Sequence, residues 1–506
     1  MGLPLLWFGL YAEPRQLRGL ARPGTGLYEV GSWRPSLDAV AYARAVAEIR
    51  ERIAAGDTYQ VNFTFALEAP FAGDPWAFFA DLAAAQQGGH AAYLDLGRHV
   101  VCCVSPELFF RRDGEALITR PMKGTAPRGW NRDEDERRRA ALRASAKDRA
   151  ENLMIVDMMR NDLGRVAAPG TVEVPELFTV ERYPTLLQMT SAVTARSGAG
   201  LTDVVSALFP CASVTGAPKL RTMQIIRELE DRPRGIYTGA IGHLAPGRRA
   251  ELAVAIRTVV VDRHDGRAEY GVGSGIVWDS VAEDEHEECR LKARVLEEKP
   301  FGLLEALLWT PEEGYFLLDA HLDRLVASAE HFGLTVEPGS VRGELAALGA
   351  ALSGPAKVRL TLGGDGTLAV EAVPLEAEPT PLRVGLAAAA VDSRSPWVHH
   401  KTTRREAYDA ALASRPECDE VLLWNERGEL TEATRSNLVL DLGEGPVTPP
   451  LECGLLGGTF RAQLLAAGRI RERIVRVEEL ERAQGLFLVN SVRLWREARL
   501  MGTGRP

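Results

Sequence analysis

The chain has 506 residues, 46% of them hydrophobic and 25% charged, with a net charge of -9. This is ordinary globular composition, at a length that suits two or more domains with sizeable cores. Arginine is interleaved with acid, as in RRDGE and RELEDRPR, which argues against a nucleic-acid partner. No run of about eighteen apolar residues offers a membrane span. The opening MGLPLLWFGLYAEPR lacks the basic segment and small-residue pattern of a secretory leader. Six cysteines without a CxxC spacing suggest reduced thiols and a cytoplasmic location.

In chain order, residues 36–55 carry a helical period and 58–67 alternate like a strand. Residues 100–111 and 116–119 are predicted as strands around the turn Asp113-Gly114. One long helix is predicted over 133–163. Another is predicted over 217–230, with Pro218 near its first turn. Residues 250–262 and 268–278 are expected to pair as strands, followed by a helix over 284–298. Pro300 and Gly302 then punctuate the chain, and the segment from Leu303 predicts a hairpin and a helix. The expected organisation is α+β, with domains at 1–299 and 300–506.

Several segments carry candidate chemistry. TRPMKGTAPRG sets Lys123 in a turn flanked by Arg120 and Arg128, and turn lysines are ordinarily solvated. In EDEHEECRLKA, Glu285, Glu288 and Lys292 stand at i, i+3 and i+7 and share a helical face. Taken alone this is a solvated charged face. Glu151 lies in the first turns of the apolar segment KDRAENLMIVDMMRNDLGRV. Two carboxylates from different helices can hold one Mg²⁺, but spacing alone does not bring them together. The glycines of YGVGSGIVWDS run into a strand, so they are not a dinucleotide fingerprint. Glycines in a strand suggest close approach of a ligand, and exposed N–H groups suit a carboxylate.

The motifs GDTYQVNFT, SPELFFR, TRPMKGTAPRG, KDRAENLMIVDMMRNDLGRV, SVTGAPKLRTMQIIRELE, GIYTGAIG, AIRTVVV and GVGSGIVWDS occur in that order. Over about residues 1–298 the chain resembles the chorismate-utilising enzymes, which include anthranilate, isochorismate and aminodeoxychorismate synthases. The resemblance implies a two-sheet α/β sandwich of the anthranilate-synthase type. It implies Mg²⁺ held by Glu151 and Glu288 with Glu285 in support. Chorismate would be contacted by Arg257, Lys292, Thr125 and the backbone at Gly273 and Gly275. Isochorismate formers carry a lysine where this chain has Gln60, and anthranilate synthases usually have alanine at Lys123. The PxKGT pattern therefore looks like the aminodeoxychorismate branch. Lys123 would be a nucleophile, and Glu107 of the SPE motif would protonate the leaving hydroxyl. Such a lysine needs burial or neighbouring cations, with Arg120 and Arg128 as candidates. Only 55 residues precede Gly56, fewer than is usual in this family, so a short first domain is expected. No GxCxG turn of a glutamine amidotransferase is found, so ammonia is expected from a separate amidotransferase subunit or as free ammonium.

Further on, HHKTTRREAYDAA sets Lys401 before a helix, and GELTEATRSNLVL sets Glu432 beside a turn. CGLLGGTFRAQLL offers a helix N-terminus as a phosphate seat, HLDRL adds Arg324, and LVNSVR closes the set. In this order the segments resemble a two-lobed fold-type IV pyridoxal-phosphate enzyme over about residues 302–500. Lys401 would carry the cofactor and act as base. Glu432 would pair with the pyridinium nitrogen, and Arg324, Gly458 and Thr459 would bind the phosphate. Asn490 and Arg493 would contact substrate. Gly457 stands where many relatives have proline. K-T-T-x-R and N-S-V-R look most like aminodeoxychorismate lyase, and a homodimer is expected by analogy. The two resemblances together imply an enzyme that makes 4-aminobenzoate for folate. The rival expectation is an anthranilate-type synthase fused to a class IV aminotransferase. A non-catalytic binding partner is the reading from another class.

Overall fold

The computed structural model describes residues 3–12, 14–15, 26–87 and 89–502. The chain divides into two compact units, Met1–Arg128 with Arg137–Pro300, and Gly129–Glu136 with Phe301–Pro506. Both mix helices and sheets, so the fold is α+β.

The first unit holds two antiparallel sheets. One runs in the order Tyr28–Val30, Gln60–Gly73, Arg267–Ile276, Thr258–Asp262, His99–Ser105, His90–Asp95. Its central strands HVVCCVS and TVVVD are buried throughout, as β-branched runs are when both faces are covered. The other runs Ala240–Ala245, Arg249–Val254, Leu108–Asp113, Ala116–Thr119, Leu186–Arg196, Met122–Pro127. Helix Ala39–Ala54 covers the first sheet with Tyr42, Val46 and Ile49, spaced one helical face apart. Its N-cap Asp38 accepts a hydrogen bond from Ala41 N at 2.8 Å. Helix Ala146–Gly164 packs Ile155, Val156, Met159 and Leu163 into the core of the second sheet.

Three predicted elements are each two. The helix expected over 133–163 is Arg132–Ala144 and Ala146–Gly164. Ser145 breaks it, because its hydroxyl accepts from Asp148 N and starts a new helix. The strand expected over 100–111 is His99–Ser105 in one sheet and Leu108–Asp113 in the other. Pro106, with no N–H to give a ladder, stands at the break. The strand expected over 250–262 divides likewise into Arg249–Val254 and Thr258–Asp262. Arg257 in that gap has φ 49°, a left-handed conformation that ends a strand. The two crossings are adjacent: Val254 N donates to Glu107 O at 3.0 Å, and Val104 N donates to Arg257 O at 3.0 Å.

The second unit has a four-stranded antiparallel sheet ordered Gly314–Tyr315, Gly302–Thr310, Ala356–Gly363, Leu368–Pro374. Helices Leu318–Phe332 and Pro338–Ala350 share a core with it through Leu322, Leu325, Phe332, Val341 and Leu345. The predicted hairpin and helix from Leu303 are present. A mixed sheet follows, in which Glu420–Trp424 and Leu494–Leu500 run parallel to Leu382–Leu386. Pairing of Leu430–Ala433 with Asn437–Asp441 closes its order into a ring. Among the described residues no helix is long and apolar enough to cross a membrane.

Two candidate active sites

The paired crossings of the first unit place Glu107 and Arg257 side by side at one cavity. Lys123 enters it from strand Met122–Pro127. Gly124, at φ 93°, turns the chain against helix Ala146–Gly164, and a Cβ there would meet Asp148 at 3.0 Å. The same helix holds the turn from behind. Asn152 donates to Lys123 O at 3.3 Å and accepts from Ser191 Oγ at 2.6 Å. Gln188 donates to Gly124 O at 2.8 Å and accepts from Thr125 Oγ1 at 3.3 Å.

Strand Arg267–Ile276 forms the opposite wall. It pairs with Thr258–Asp262 only as far as Tyr270, so Gly271 to Ile276 keep one backbone edge free of that neighbour. The Lys123 amine lies over the face of this strand at Gly275. A Cβ on Gly275 would meet Lys123 Nζ at 2.4 Å and Gln60 Nε2 at 2.5 Å. Gln60 is fully buried, and neither amide atom has a partner among the described residues. Such a group costs about 1–3 kcal/mol unless something else completes it.

Acids and bases interlock around Lys123. Lys292 reaches Glu288 at 2.5 Å and Gly273 O at 3.0 Å. Glu285 accepts from Ser280 at 2.7 Å and meets Lys147 at 3.5 Å. Burial pushes the Lys123 ammonium below the ordinary lysine value, Glu151 resists, and Lys292 is the cation that reinforces the fall. The sequence-based candidates for that cation are engaged elsewhere. Arg120 pairs with Glu176 and Glu181, and Arg128 bonds Tyr183 O. Burial raises Glu107 to about 7, against the pull of Ser213 and Lys123, and its Oε1 has no partner among the described residues. A carboxyl protonated up to neutral pH can donate a proton to a leaving group.

Burial also raises Glu151 to about 7, against Lys123 and Lys147, and its carboxyl has no hydrogen bond among the described residues. Glu151, Glu285 and Glu288 line one cavity, as expected from sequence. They are not a preformed cage: among the described residues no group of three or more His, Cys, Asp or Glu is arranged to hold a metal. The donor set nevertheless fits Mg²⁺, which takes one or two carboxylates and keeps waters. Arg257 lines the cavity but donates Nη1 to Lys292 O at 2.9 Å.

The second cavity is built around Lys401. Its carbonyl accepts from Leu304 N at 2.8 Å, so the Lys-Thr-Thr segment is laid along strand Gly302–Thr310. Burial, with Arg324 nearby, lowers Lys401 to about 8. Glu432 is buried and raised by that burial to about 7. It accepts from Tyr408 at 2.8 Å, Leu456 N at 3.1 Å and Asn437 at 3.3 Å. Arg324 donates Nε and Nη2 to Glu305 at 2.8 and 2.6 Å, and Nη1 to Gly457 O at 3.0 Å. Two of its five N–H groups remain for a ligand. Glu305 also holds His321 at 2.6 Å, and His321 meets Thr459 Oγ1 at 3.2 Å. Although Glu305 is buried, Arg324 and His321 hold it at about 2, firmly ionised.

Gly458 opens helix Thr459–Ala466, and a Cβ there would stand 2.0 Å from Asn437 Oδ1. A Cβ on Gly457 would make only ordinary contact, with Leu451 at 3.7 Å. A lysine of lowered basicity, a buried carboxyl with no ion pair among the described residues, and a helix N-terminus beside Arg324 all line this cavity. That set fits pyridoxal phosphate. Asn490 and Arg493 are also at the cavity, but both are engaged. Asn490 bonds Ser436, Arg435 O and the N–H groups of Val492 and Arg493. Arg493 pairs with Glu378 at 3.1 Å.

The sequence reading missed Asn152, Lys147, Glu305, His321 and Tyr408. Only His321, three residues before Arg324 on one helix face, carried a signal.

Comparison with known proteins finds two family matches. The sequence pattern of the family described as chorismate binding enzyme matches residues 21–298, and that of amino-transferase class IV matches 302–500. Aminodeoxychorismate synthase component 1 of Escherichia coli K12 is 41% identical over 51% of this chain and 56% of its own length. Aminodeoxychorismate synthase of Streptomyces griseus is 45% identical over 50% of this chain and 35% of its own. Anthranilate synthase component 1 of Thermus thermophilus is 42% identical over 51% of this chain and 55% of its own. The chain thus spans about half the length of these relatives, or less. The amino-transferase class IV match accounts for most of the remaining chain. With a match over more than half of its length, the chain belongs to the chorismate binding enzyme family.

Proposed function

We propose that the chain is a bifunctional enzyme of 4-aminobenzoate formation. Residues 1–299 would convert chorismate and ammonia to 4-amino-4-deoxychorismate, and 300–506 would release 4-aminobenzoate and pyruvate. The observation that carries this reading is Lys123 itself. Its amine is desolvated and held over Gly275, within the fields of Glu151, Glu288 and Glu107. Overall identity does not separate the branches, because aminodeoxychorismate and anthranilate synthases are equally similar to this chain.

In this mechanism the neutral Lys123 amine adds to the chorismate ring as the C4 hydroxyl leaves with the proton of Glu107. Ammonia then forms the C4–N bond as Lys123 departs with its electron pair. At an ordinary lysine pKa roughly one amine in a thousand would be neutral near pH 7.5, so the desolvation is what makes the step accessible. Mg²⁺ would be held by Glu151 and Glu288, with Glu285 behind them, and would supply a counter-charge for a substrate carboxylate. Arg257, Lys292, Thr125 and the open edge at Gly273 and Gly275 would receive the rest of the dianion.

Pyridoxal phosphate would be held by Lys401, Glu432, Arg324, Gly458 and Thr459, and when bound supplies an electron sink beside the substrate amine. Lys401, at about 8, accepts the C4 proton. Glu432 gives a cationic ring nitrogen its counter-charge, and Tyr408 fixes that carboxylate. Loss of pyruvate leaves an aromatic ring, which drives the release. Ammonia would come from a separate amidotransferase subunit. A homodimer through the second unit and a cytoplasmic location complete the reading, the latter in keeping with six unpaired cysteines.

The test is incubation of the purified chain with chorismate, Mg²⁺, pyridoxal phosphate and ammonium, with the aromatic product identified by chromatography. 4-Aminobenzoate is expected. 2-Aminobenzoate would establish the anthranilate-type alternative instead.

A further inference from the structure

The charge of Arg324 is cancelled before any phosphate arrives. Its Nε and Nη2 go to the Glu305 carboxylate, so the pair carries no net charge. Glu305 and His321 behind it are 2% and 1% exposed. A phosphate monoester brings about -1.5 to -2 charges near neutral pH. A neutral seat leaves that charge uncompensated, and an uncompensated buried charge is costly.

The hydrogen bonds of His321 decide what the seat offers. Charged and polar groups reach this ring from four elements. They are Glu305 from strand Gly302–Thr310, Arg324 from its own helix Leu318–Phe332, Lys401 from the Lys-Thr-Thr segment, and Thr459 from the start of helix Thr459–Ala466. Glu305, ionised at about 2, only accepts, so Nδ1 at 2.6 Å carries the hydrogen between them. In a neutral ring Nε2 then has only its lone pair, and the Thr459 hydroxyl at 3.2 Å donates to it. Burial, with Arg324 and Lys401, disfavours the charged ring against the pull of Glu305. With the ring neutral, Thr459 spends its hydroxyl hydrogen on His321 and has only lone pairs for the cavity it lines. Lone pairs repel an anion. One proton on Nε2 reverses the bond: His321 donates to Thr459 Oγ1, and the hydroxyl hydrogen is released to a phosphate oxygen. The same proton gives the seat a net positive charge.

We propose that His321 is a positioning residue that gains a proton as the cofactor phosphate binds, and so turns the Thr459 hydroxyl from the ring to the phosphate. This rests on reading the second cavity as a pyridoxal-phosphate site. The proton comes from solvent, and the phosphate binds as its dianion.

The experiment uses the full chain freed of cofactor and 4-deoxypyridoxine 5′-phosphate, which keeps the phosphate but has no aldehyde to react with Lys401. Calorimetric titration in two buffers of unlike ionisation enthalpy counts the protons taken up. Protonation of the ligand's own ring nitrogen is common to all variants, so the difference from His321→Gln isolates the imidazole. Near pH 7.5 the unmodified chain should take up at least about half a proton more than His321→Gln. Its affinity advantage over that variant should shrink about tenfold as pH rises from about 7 to about 8.5, because the proton is lost. A histidine that only supports the fold would give the same advantage at every pH. Thr459→Val leaves the ring proton without an acceptor and should lose the extra uptake too. The phosphorus NMR resonance of the bound analogue should stay at the dianion position throughout, and circular dichroism shows that each variant is folded. Equal uptake in the unmodified chain and either variant, or a monoanion resonance, overturns the proposal. If pyridoxal phosphate gives no Lys401-dependent absorbance while the analogue still binds with the extra proton, the cofactor reading falls and the proton-coupled anion seat stands. Lys401-dependent absorbance without the extra proton does the reverse.

Discussion

The two cavities surround a buried lysine with different sets of charges. In the first, the pairs Lys292–Glu288 and Lys147–Glu285 flank Lys123, Glu151 and Glu107, which have no ion pair of their own among the described residues. In the second, Arg324 is locked to Glu305, while Lys401 has no ion pair among the described residues. The difference teaches that desolvation sets the reactive lysine in both places, whereas the neighbouring charges decide what each site can receive.

The sharpest way to break this comparison is to remove each lysine in turn. Lys401→Ala should accumulate 4-amino-4-deoxychorismate and cut 4-aminobenzoate by about a thousandfold or more, and Lys123→Ala should abolish the first product equally. Chromatography of both species, with the intermediate supplied to Lys123→Ala, tells the halves apart. Gly275→Ala tests placement rather than chemistry. Its Cβ would stand 2.4 Å from Lys123 Nζ, and the first step should fall by about a hundredfold or more. Turnover of supplied intermediate should persist.

Glu107→Gln sharpens the proton argument. Because Glu107 is raised to about 7, its donating form prevails below that pH and vanishes above it. The first step should therefore slow as pH rises through neutrality. The glutamine variant should be slower by about a hundredfold and should lack that limb. Glu305→Gln loosens the clamp on Arg324 and His321. Pyridoxal phosphate should bind about 10- to 30-fold more weakly by absorbance titration, with the first step untouched. The smallest effect belongs to Ser145→Ala, which removes the N-cap of the helix that carries Glu151 and Asn152. Denaturant unfolding should report a loss of about 1 kcal/mol.

Much of the sites was legible one segment at a time. The i, i+3, i+7 spacing of Glu285, Glu288 and Lys292 does bring all three to one cavity. The alternation of AKVRLTLG already sets Lys357 and Arg359 opposite the core. What failed was continuity. Residues 100–111 and 250–262 each read as one strand, since β-branched and apolar residues run through both. Local preference does not say that a chain changes sheets. Pro106 and the left-handed Arg257 make the changes, and those breaks are where Glu107 and Arg257 stand.

Residue types and their period thus determined the helices, most of the strands, the helical face of acids and the Gly/Pro turn that carries Lys123. Tertiary structure alone decided the partners. Lys292, not Arg120 or Arg128, is the cation acting on Lys123. Asn490 and Arg493 are tied into the protein. The physical reason is range. Propensity and periodicity act over a few residues, but charges and hydrogen bonds act over a few ångströms between groups as distant in sequence as Lys123 and Lys292.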